Sequence, residues 1–351
     1  MIHYSKGNLL QADVEAIINT VNCVGVMGKG IALQFKQAFP ENFIVYAKAC
    51  KAKQVQPGHM FLFEREDLVN PRFIINFPTK THWKVKSRLE HVEQGLVDLV
   101  QVIRDKQIKS IAIPPLGCGN GGLDWAVVQP LIEQALAQVP EVEVYVYGPQ
   151  PAPVVDAMPV ATKTPNMTRA RALFIKLIEQ YSLPGYRLSL LEVQKLGYFL
   201  QEAGEALRLN YVKHHFGPYA ENLNHVLQRI EGHFIRGYGD RSKDAQIHLM
   251  PDAVAQADAF LADDVDADQR LAQVEALIEG FETPYSMELL ASVHWVSTRE
   301  GVESGQDVVA KVQSWNSRKA KLMQAKHIQK AFERLKDQQW VTDNAKPDYS
   351  I

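Results

Sequence analysis

An α/β domain on a mostly parallel sheet, followed by a mainly α-helical domain, is the fold class this sequence predicts. Three observations carry that expectation. Over residues 1–150, short β-rich apolar runs alternate with longer amphipathic ones, as strands do with covering helices. From Pro149 to Pro165, five positions are proline (149, 151, 153, 159 and 165). Proline lacks a backbone donor and fixes φ, so this stretch fits neither a helix interior nor a central strand. Beyond it, apolar residues recur at helical spacing almost to the end of the chain. The expected division is therefore 1–150, an extended semi-rigid linker at 151–165, and 166–351.

The elements follow in order. Ala16–Asn22 reads as a buried strand. Lys29–Phe39 reads as a helix with Ile31, Leu33, Phe35 and Ala38 inward, stopped by Pro40. Met60–Phe63 and Phe73–Phe77 are short strands. Lys84–Lys106 is a long amphipathic helix, Ser110–Pro114 a strand, Trp125–Ala137 a helix and Val142–Tyr147 a last strand. In the second domain, helices are expected at Met167–Tyr181, Leu190–Gly204, Tyr219–Glu231, Pro251–Leu261, Gln269–Phe281, Pro284–Arg299 and Val308–Lys336.

Composition narrows the class. The chain has 351 residues, 46% apolar and 22% charged, which suits a soluble globular protein of two domains. Its three cysteines (Cys23, Cys50, Cys118) are too few for a disulfide scaffold and lack metal-ligand spacing. The start, MIHYSKGNLL, lacks the layout of a signal peptide. No apolar run approaches the ~20 residues of a membrane helix. A cytoplasmic protein without metal or membrane attachment is expected.

Two glycine-rich loops stand between strand and helix: NCVGVMGKG at 22–30 and LGCGNGGL at 116–123. Glycine lets backbone N–H groups approach a ligand, and the following helix N-terminus favours phosphate. Two such loops at strand carboxyl ends in one sheet would face one crevice. Neither is a Walker A or a dinucleotide fingerprint. Spacing alone leaves a phosphate site and plain tight turns equally open.

These residues also carry a family likeness. GNLLQADVEAIINTVNCVGVMGKGIALQFKQAFP (7–40) and IAIPPLGCGNGGLDW (111–125) resemble the two signature blocks of the macrodomain family, in order and spacing. The likeness covers roughly residues 1–150. It implies a three-layer α/β/α fold that binds ADP-ribose with the pyrophosphate between the loops. GVMGKGIA, with a lysine after a later strand, resembles the branch of macrodomain hydrolases found as toxin–antitoxin antitoxins, which remove ADP-ribose from DNA.

The resemblance implies roles residue by residue. Asn8 and Leu9 take the adenine-contacting position, with Asn8 in place of an aspartate. Asn22 matches an asparagine at the distal ribose, next to the scissile bond. Gly25, Val26, Met27, Gly28, Gly30 and Ile31 form the first loop. Gly117, Cys118, Gly119, Asn120, Gly121, Gly122 and Leu123 form the second. Thr79 and Tyr147 border the ligand. Lys80, in NFPTKTHW, matches the catalytic lysine, and His82 is the nearest titratable helper. Lys80 has two routes: attack as an amine of lowered pKa, or stabilisation of charge as a cation. The aspartate found in related second loops is replaced here by Gly121. No cofactor is implied, since ADP-ribose is itself the ligand.

Other residues read more plainly. Cys118 is a small residue beside phosphate or a nucleophile, Cys23 and Cys50 are buried apolar residues, and His214 and His215 are structural. Trp83, beside His82, is the tryptophan placed to touch a base or ribose.

The formal charge of −2 conceals blocks. Residues 252–307 hold 13 acidic and two basic residues, whereas 311–336 hold eight basic residues and Glu333. These are solvated helix faces, or an acidic surface imitating nucleic acid. The second reading uses Asp258, Asp263, Asp264, Asp266, Asp268, Glu275 and Glu279 to enter the DNA channel of a partner. The resemblance implies that partner, a cognate toxin that ADP-ribosylates single-stranded DNA; the enzyme's substrate would be ADP-ribosylated single-stranded DNA. Leu190–Tyr219 loosely resembles a small winged-helix-like core. Two alternatives stay open: a reader of ADP-ribose without hydrolysis, or a hydrolase of protein-linked ADP-ribose whose second domain binds DNA through 311–336.

Overall fold

A computed structural model describes all residues except 67, 68, 152, 183, 184, 242–244, 303 and 342–351. The chain forms two units: Met1–Lys163 with Gly239–Ser242, and Thr164–Tyr238 with Lys243–Ile351.

In the first unit, six strands form one sheet. They are β1 (Ile2–Ser5), β2 (Ala16–Val21), β3 (Phe61–Glu64), β4 (Phe73–Pro78), β5 (Ser110–Ile113) and β6 (Glu143–Tyr147). Their order is β1-β6-β5-β2-β4-β3. Neighbours run parallel except β3, which is antiparallel to β4. Four helices cover the sheet: α1 (Gly30–Ala38), α2 (Pro40–Lys51), α3 (Leu89–Asp105) and α4 (Trp125–Leu136).

The alternation of a strand assigns its side chains to two layers. Ala16, Ile18, Phe73, Ile75, Ile111 and Ile113 pack with Leu96 and Leu99 of α3 and Val128 and Ile132 of α4. The intervening Ile17, Ile74 and Ala112 pack with Phe35 and Ala38 of α1. Val21 and Met27 pack with Tyr46, Ala49 and Cys50 on α2. The result is a three-layer α/β/α fold, as the resemblance implies.

Three expectations change here. The helix expected from Lys84 begins only at Leu89, because residues 81–88 bond to the loops instead. Pro40 ends α1 but also opens α2 at its first turn, where its missing N–H costs nothing. The proline-rich stretch does not hang free. Its Val155–Ala157 turn offers the Ala157 carbonyl to the Asn8 and Gln11 amides, and Met158 is buried.

The second unit is mainly helical. Its elements are α5 (Arg169–Tyr181), α6 (Leu190–Glu202), β7 (Tyr211–His214), β8 (Gly217–Ala220), α7 (Leu223–Ile230), β9 (Ile235–Arg236), β10 (His248–Leu249), α8 (Ala253–Leu261), α9 (Val265–Ile278), α10 (Pro284–Arg299), α11 (Gly305–Ser314), α12 (Ser317–Leu322) and α13 (Ala325–Asp337). Leu190–Tyr219 folds as α6 and the β7–β8 hairpin, so the helix expected from Tyr219 starts at Leu223. The single helix expected over Val308–Lys336 is three, since Asn316 caps α12 through a bond from the Lys319 N–H (2.9 Å). His214 and His215 offer their carbonyls to Trp315 Nε1 and Asn316 Nδ2 (2.9 and 3.0 Å). Inside the unit, buried Lys319 donates to Glu288 (2.6 Å) and Ser292 (2.9 Å), and buried Lys195 donates to the Pro218 carbonyl (2.6 Å).

Candidate active site

Strands β5, β2 and β4 are consecutive in the sheet and parallel, so their carboxyl ends share one edge. The first loop leaves β2, the segment Thr79–Arg88 leaves β4, and the second loop leaves β5. Such an edge is where open α/β sheets bind ligands.

Asn22 builds the first loop. Its Oδ1 accepts the Val24 N–H (3.0 Å) and the Val26 N–H (3.4 Å), while its Nδ2 donates to the Val26 carbonyl (2.6 Å). The Tyr46 hydroxyl donates to the Asn22 carbonyl (2.6 Å). The expected ribose-binding amide is therefore the brace of the loop, and it is 5% exposed. Gly25 turns with φ +78°, where a side chain would press on the Ala47 backbone at 3.3 Å. Met27 is buried beneath, and Ile31 packs on the α1 core.

The second loop closes on itself: the Leu123 N–H donates to the Gly117 carbonyl (3.0 Å) and the Gly122 N–H to Gly119 (3.1 Å). The two loops meet at Gly30 and Asn120, where a Cβ on Gly30 would stand 2.8 Å from Asn120 Nδ2.

Lys80 stands beside this meeting point. Its Nζ donates to the Asn120 carbonyl (3.3 Å). Burial pulls its ammonium below the ordinary lysine range, since desolvation penalises the charged form. Thr79 is buried at 2% exposure, and its hydroxyl accepts from Ser87 Oγ (3.0 Å). His82 is next along, but its Nδ1 accepts the Lys84 N–H (3.1 Å).

The adenine-side candidates are also placed. Asn8 Oδ1 caps a 3-10 turn through the Leu10 N–H (3.0 Å), while Leu9 and Tyr147 pack in the α1-side core. Burial raises the Tyr147 hydroxyl. Burial also pushes the Cys23 and Cys118 thiols up to about 11, so neither is a ready nucleophile at neutral pH.

Two residues escaped the sequence reading. Ser87 joins both sides of the site: its N–H donates to the Gly121 carbonyl (3.0 Å) and its hydroxyl to Thr79. The sequence pattern places it inside a helix. Asp240 sits at the start of α1, accepting the Gly30 N–H on its carbonyl (3.0 Å) and Gln34 Nε2 on Oδ2 (3.2 Å). Its Oδ1 is buried, with no hydrogen-bond partner among the described residues. No local pattern marks a residue so distant in sequence.

On the second unit, three of the seven acidic candidates are paired at home. Asp258 meets Lys176 (2.7 Å), Asp264 meets Arg169 (2.6 Å), and Asp266 meets Arg169 and Arg270 (2.7 and 3.1 Å). Asp263, Asp268, Glu275 and Glu279 are exposed. Among the described residues, no group of three or more His, Cys, Asp or Glu is arranged to hold a metal ion, and no helix is long and apolar enough to cross a membrane.

The Macro domain family model matches residues 18–132. A DNA ADP-ribosyl glycohydrolase of Thermus aquaticus is 50% identical over 336 residues, 95% of this chain and 93% of that protein. The solved macrodomain of Thermus aquaticus DarG is 56% identical, spans 42% of this chain and 99% of that chain, and superposes with a TM-score of 0.42. A Thermosipho africanus DNA ADP-ribosyl transferase–DNA ADP-ribosyl glycohydrolase fusion protein is 36% identical over 159 residues, 41% of each chain. With half its residues shared across nearly the full length of a relative, the chain belongs to the DarG-type DNA ADP-ribosyl glycohydrolase family.

Proposed function

We propose that the first unit releases ADP-ribose from a base of single-stranded DNA, and that the second unit restrains a DarT-like ADP-ribosyltransferase. The observation that carries the catalytic part is Lys80, half-buried at the junction of two glycine loops and hydrogen-bonded to one of them. Adenosine and pyrophosphate held along the loops would supply binding energy remote from the reacting bond, which fixes the distal ribose at Lys80. A lysine of lowered pKa carries more neutral amine at pH 7, which favours the nucleophilic route. The Nζ–C bond forms at the anomeric carbon as the bond to the base breaks. The base leaves with one proton, the ring oxygen takes the remaining N–H proton as the ribose opens to an imine, and water then hydrolyses the imine to ADP-ribose and the free amine.

The antitoxin part draws on the fusion relative, whose name joins transferase and glycohydrolase in one protein. The exposed Asp268 and Glu275 lie seven residues apart on α9, a spacing that brings them to one helix face, and exposed Glu279 is the C-cap that follows. A row of that kind suits a basic channel made for a DNA strand.

The test uses an ADP-ribosylated oligonucleotide. Wild type should release ADP-ribose, Lys80→Ala should not, and borohydride should trap a protein–sugar adduct only when Lys80 is present. Lys80→Arg keeps the charge but forms no imine, so an active arginine variant favours the cation route. Binding without turnover by wild type would make the protein a reader.

A further inference from the structure

We propose that residues 81–87, which follow Lys80, form a platform for the DNA strand flanking the modified base. Trp83 stacks a neighbouring nucleobase, and Lys84 and Lys86 meet backbone phosphates. This inference rests on the reading of the first unit as an enzyme of ADP-ribosylated DNA.

The first observation is exposure. Trp83 is 50% exposed and Val85 47% exposed, three and five residues from the lysine at the reacting bond. A large aromatic side chain left in solvent three residues from Lys80 invites a flat partner.

The second is anchoring. The arch is tied at both ends to the loops that hold the ligand. At its start, the Cys23 N–H donates to the Thr81 carbonyl (3.2 Å) and Cys23 Sγ to the Lys80 carbonyl (3.5 Å). At its end, the Ser87 N–H donates to the Gly121 carbonyl and the Ser87 hydroxyl to Thr79, each at 3.0 Å. Between them, the Val85 N–H donates to the His82 carbonyl (3.2 Å) and the Lys84 N–H to His82 Nδ1 (3.1 Å). The platform is thus preformed, and little ordering is needed when a strand arrives.

The third is charge. Residues 80–88 contain Lys80, Lys84, Lys86 and Arg88 and no acidic residue. Arg88 has Glu90 at 3.5 Å, whereas Lys84 and Lys86 are exposed. Lys86 lies along the second loop, its Cδ 3.8 Å from where a Gly122 Cβ would stand. The Lys84 ammonium rests 5.1 Å from the Trp83 ring centre, and the His82 ring stacks on that indole at 5.3 Å. An exposed cation–π contact is weaker than base stacking, so an arriving base displaces the ammonium and frees it for a phosphate. Cations beside an exposed aromatic ring, without carboxylates, match a single strand of nucleic acid.

Binding is measured with the full chain in the Lys80→Ala background, so that substrate survives. The probes are an ADP-ribosylated single-stranded oligonucleotide, an ADP-ribosylated mononucleoside and free ADP-ribose. Trp83→Ala should weaken the oligonucleotide by ~10-fold or more, the size expected for one stacked base. Trp83→Phe should restore most of the loss, and the two small ligands should bind as before. Lys84→Gln with Lys86→Gln should flatten the slope of log Kd against log salt by about 1.4 for two phosphate contacts. Equal weakening of the oligonucleotide and free ADP-ribose would place Trp83 in the ADP-ribose site and overturn the platform. So would an oligonucleotide affinity that does not move. Wild type that fails to cleave the oligonucleotide refutes the enzyme reading itself. Wild-type turnover with an indifferent Trp83→Ala refutes only the platform.

Discussion

Two alanines placed two residues apart in the second loop should behave as opposites. At Gly121, an added Cβ would collide with Ser87 Oγ and the Gly117 carbonyl oxygen and stand 2.8 Å from Ser87 Cβ. The Gly117 carbonyl cannot swing aside cheaply, because it already accepts the Leu123 N–H at 3.0 Å. The loop must open instead. Overpacking of this kind costs ~1–3 kcal/mol, and loss of the Ser87–Gly121 hydrogen bond adds about 1 kcal/mol. The catalytic effect should be larger than the melting shift suggests. Asn120, the seat of the Lys80 ammonium, is the adjoining residue, and a displacement near 1 Å costs on the order of 100-fold in rate. At Gly119, no atom of the described residues lies within 4 Å of an added Cβ and φ is not positive, so alanine there should be neutral or stabilising by up to about 1 kcal/mol. The assay is the initial rate of ADP-ribose release from a modified oligonucleotide, with Tm measured alongside. Equal Tm values for the two variants, or a lower Tm for Gly119→Ala, would refute the argument.

Asn22→Ala removes three hydrogen bonds that shape the first loop; we expect weaker ADP-ribose binding, read by calorimetry, with a stability loss of about 1–3 kcal/mol. Burial and the nearby Lys319 push Lys195 down to about 7, below its unfolded value of 10.5. The folded state therefore binds fewer protons between those values, and stability should rise with pH from about 7 toward 10.5. Between pH 7 and 9 the wild type should gain roughly 2–3 kcal/mol on Lys195→Met in urea titrations, and parallel curves would contradict this. Replacing Asp263, Asp268, Glu275 and Glu279 by their amides should weaken toxin binding without lowering Tm. Asp264→Asn should lower Tm instead, because Asp264 caps α9 and pairs with Arg169.

The parts of the fold legible in the sequence are those where local pattern and burial agree. Ile17 and Ile18 read as a buried strand because both faces of the sheet are covered. The two glycine loops were visible because close approach of backbones leaves a compositional trace. The start of α3 was not. Val85, Leu89, Val92 and Leu96 keep helical spacing, yet Ser87 is claimed by Gly121, a partner more than thirty residues away. Lys80 stands out through its motif, whereas the bonds of Thr79 to Ser87 and of Asn22 within its own loop leave no local pattern in the sequence. The hairpin β7–β8 is too short to leave a periodic signal, and Asp240 acts where only tertiary structure brings it.

The raised thiol pKa values at Cys23 and Cys118 have a consequence for the chemical environment the site can tolerate. Peroxides attack thiolates, and a thiol near 11 is ionised in fewer than about one molecule in a thousand at neutral pH. Each glycine loop thus carries a thiol that resists sulfenylation. An oxidative burst that silences cysteine-dependent enzymes should leave this crevice intact.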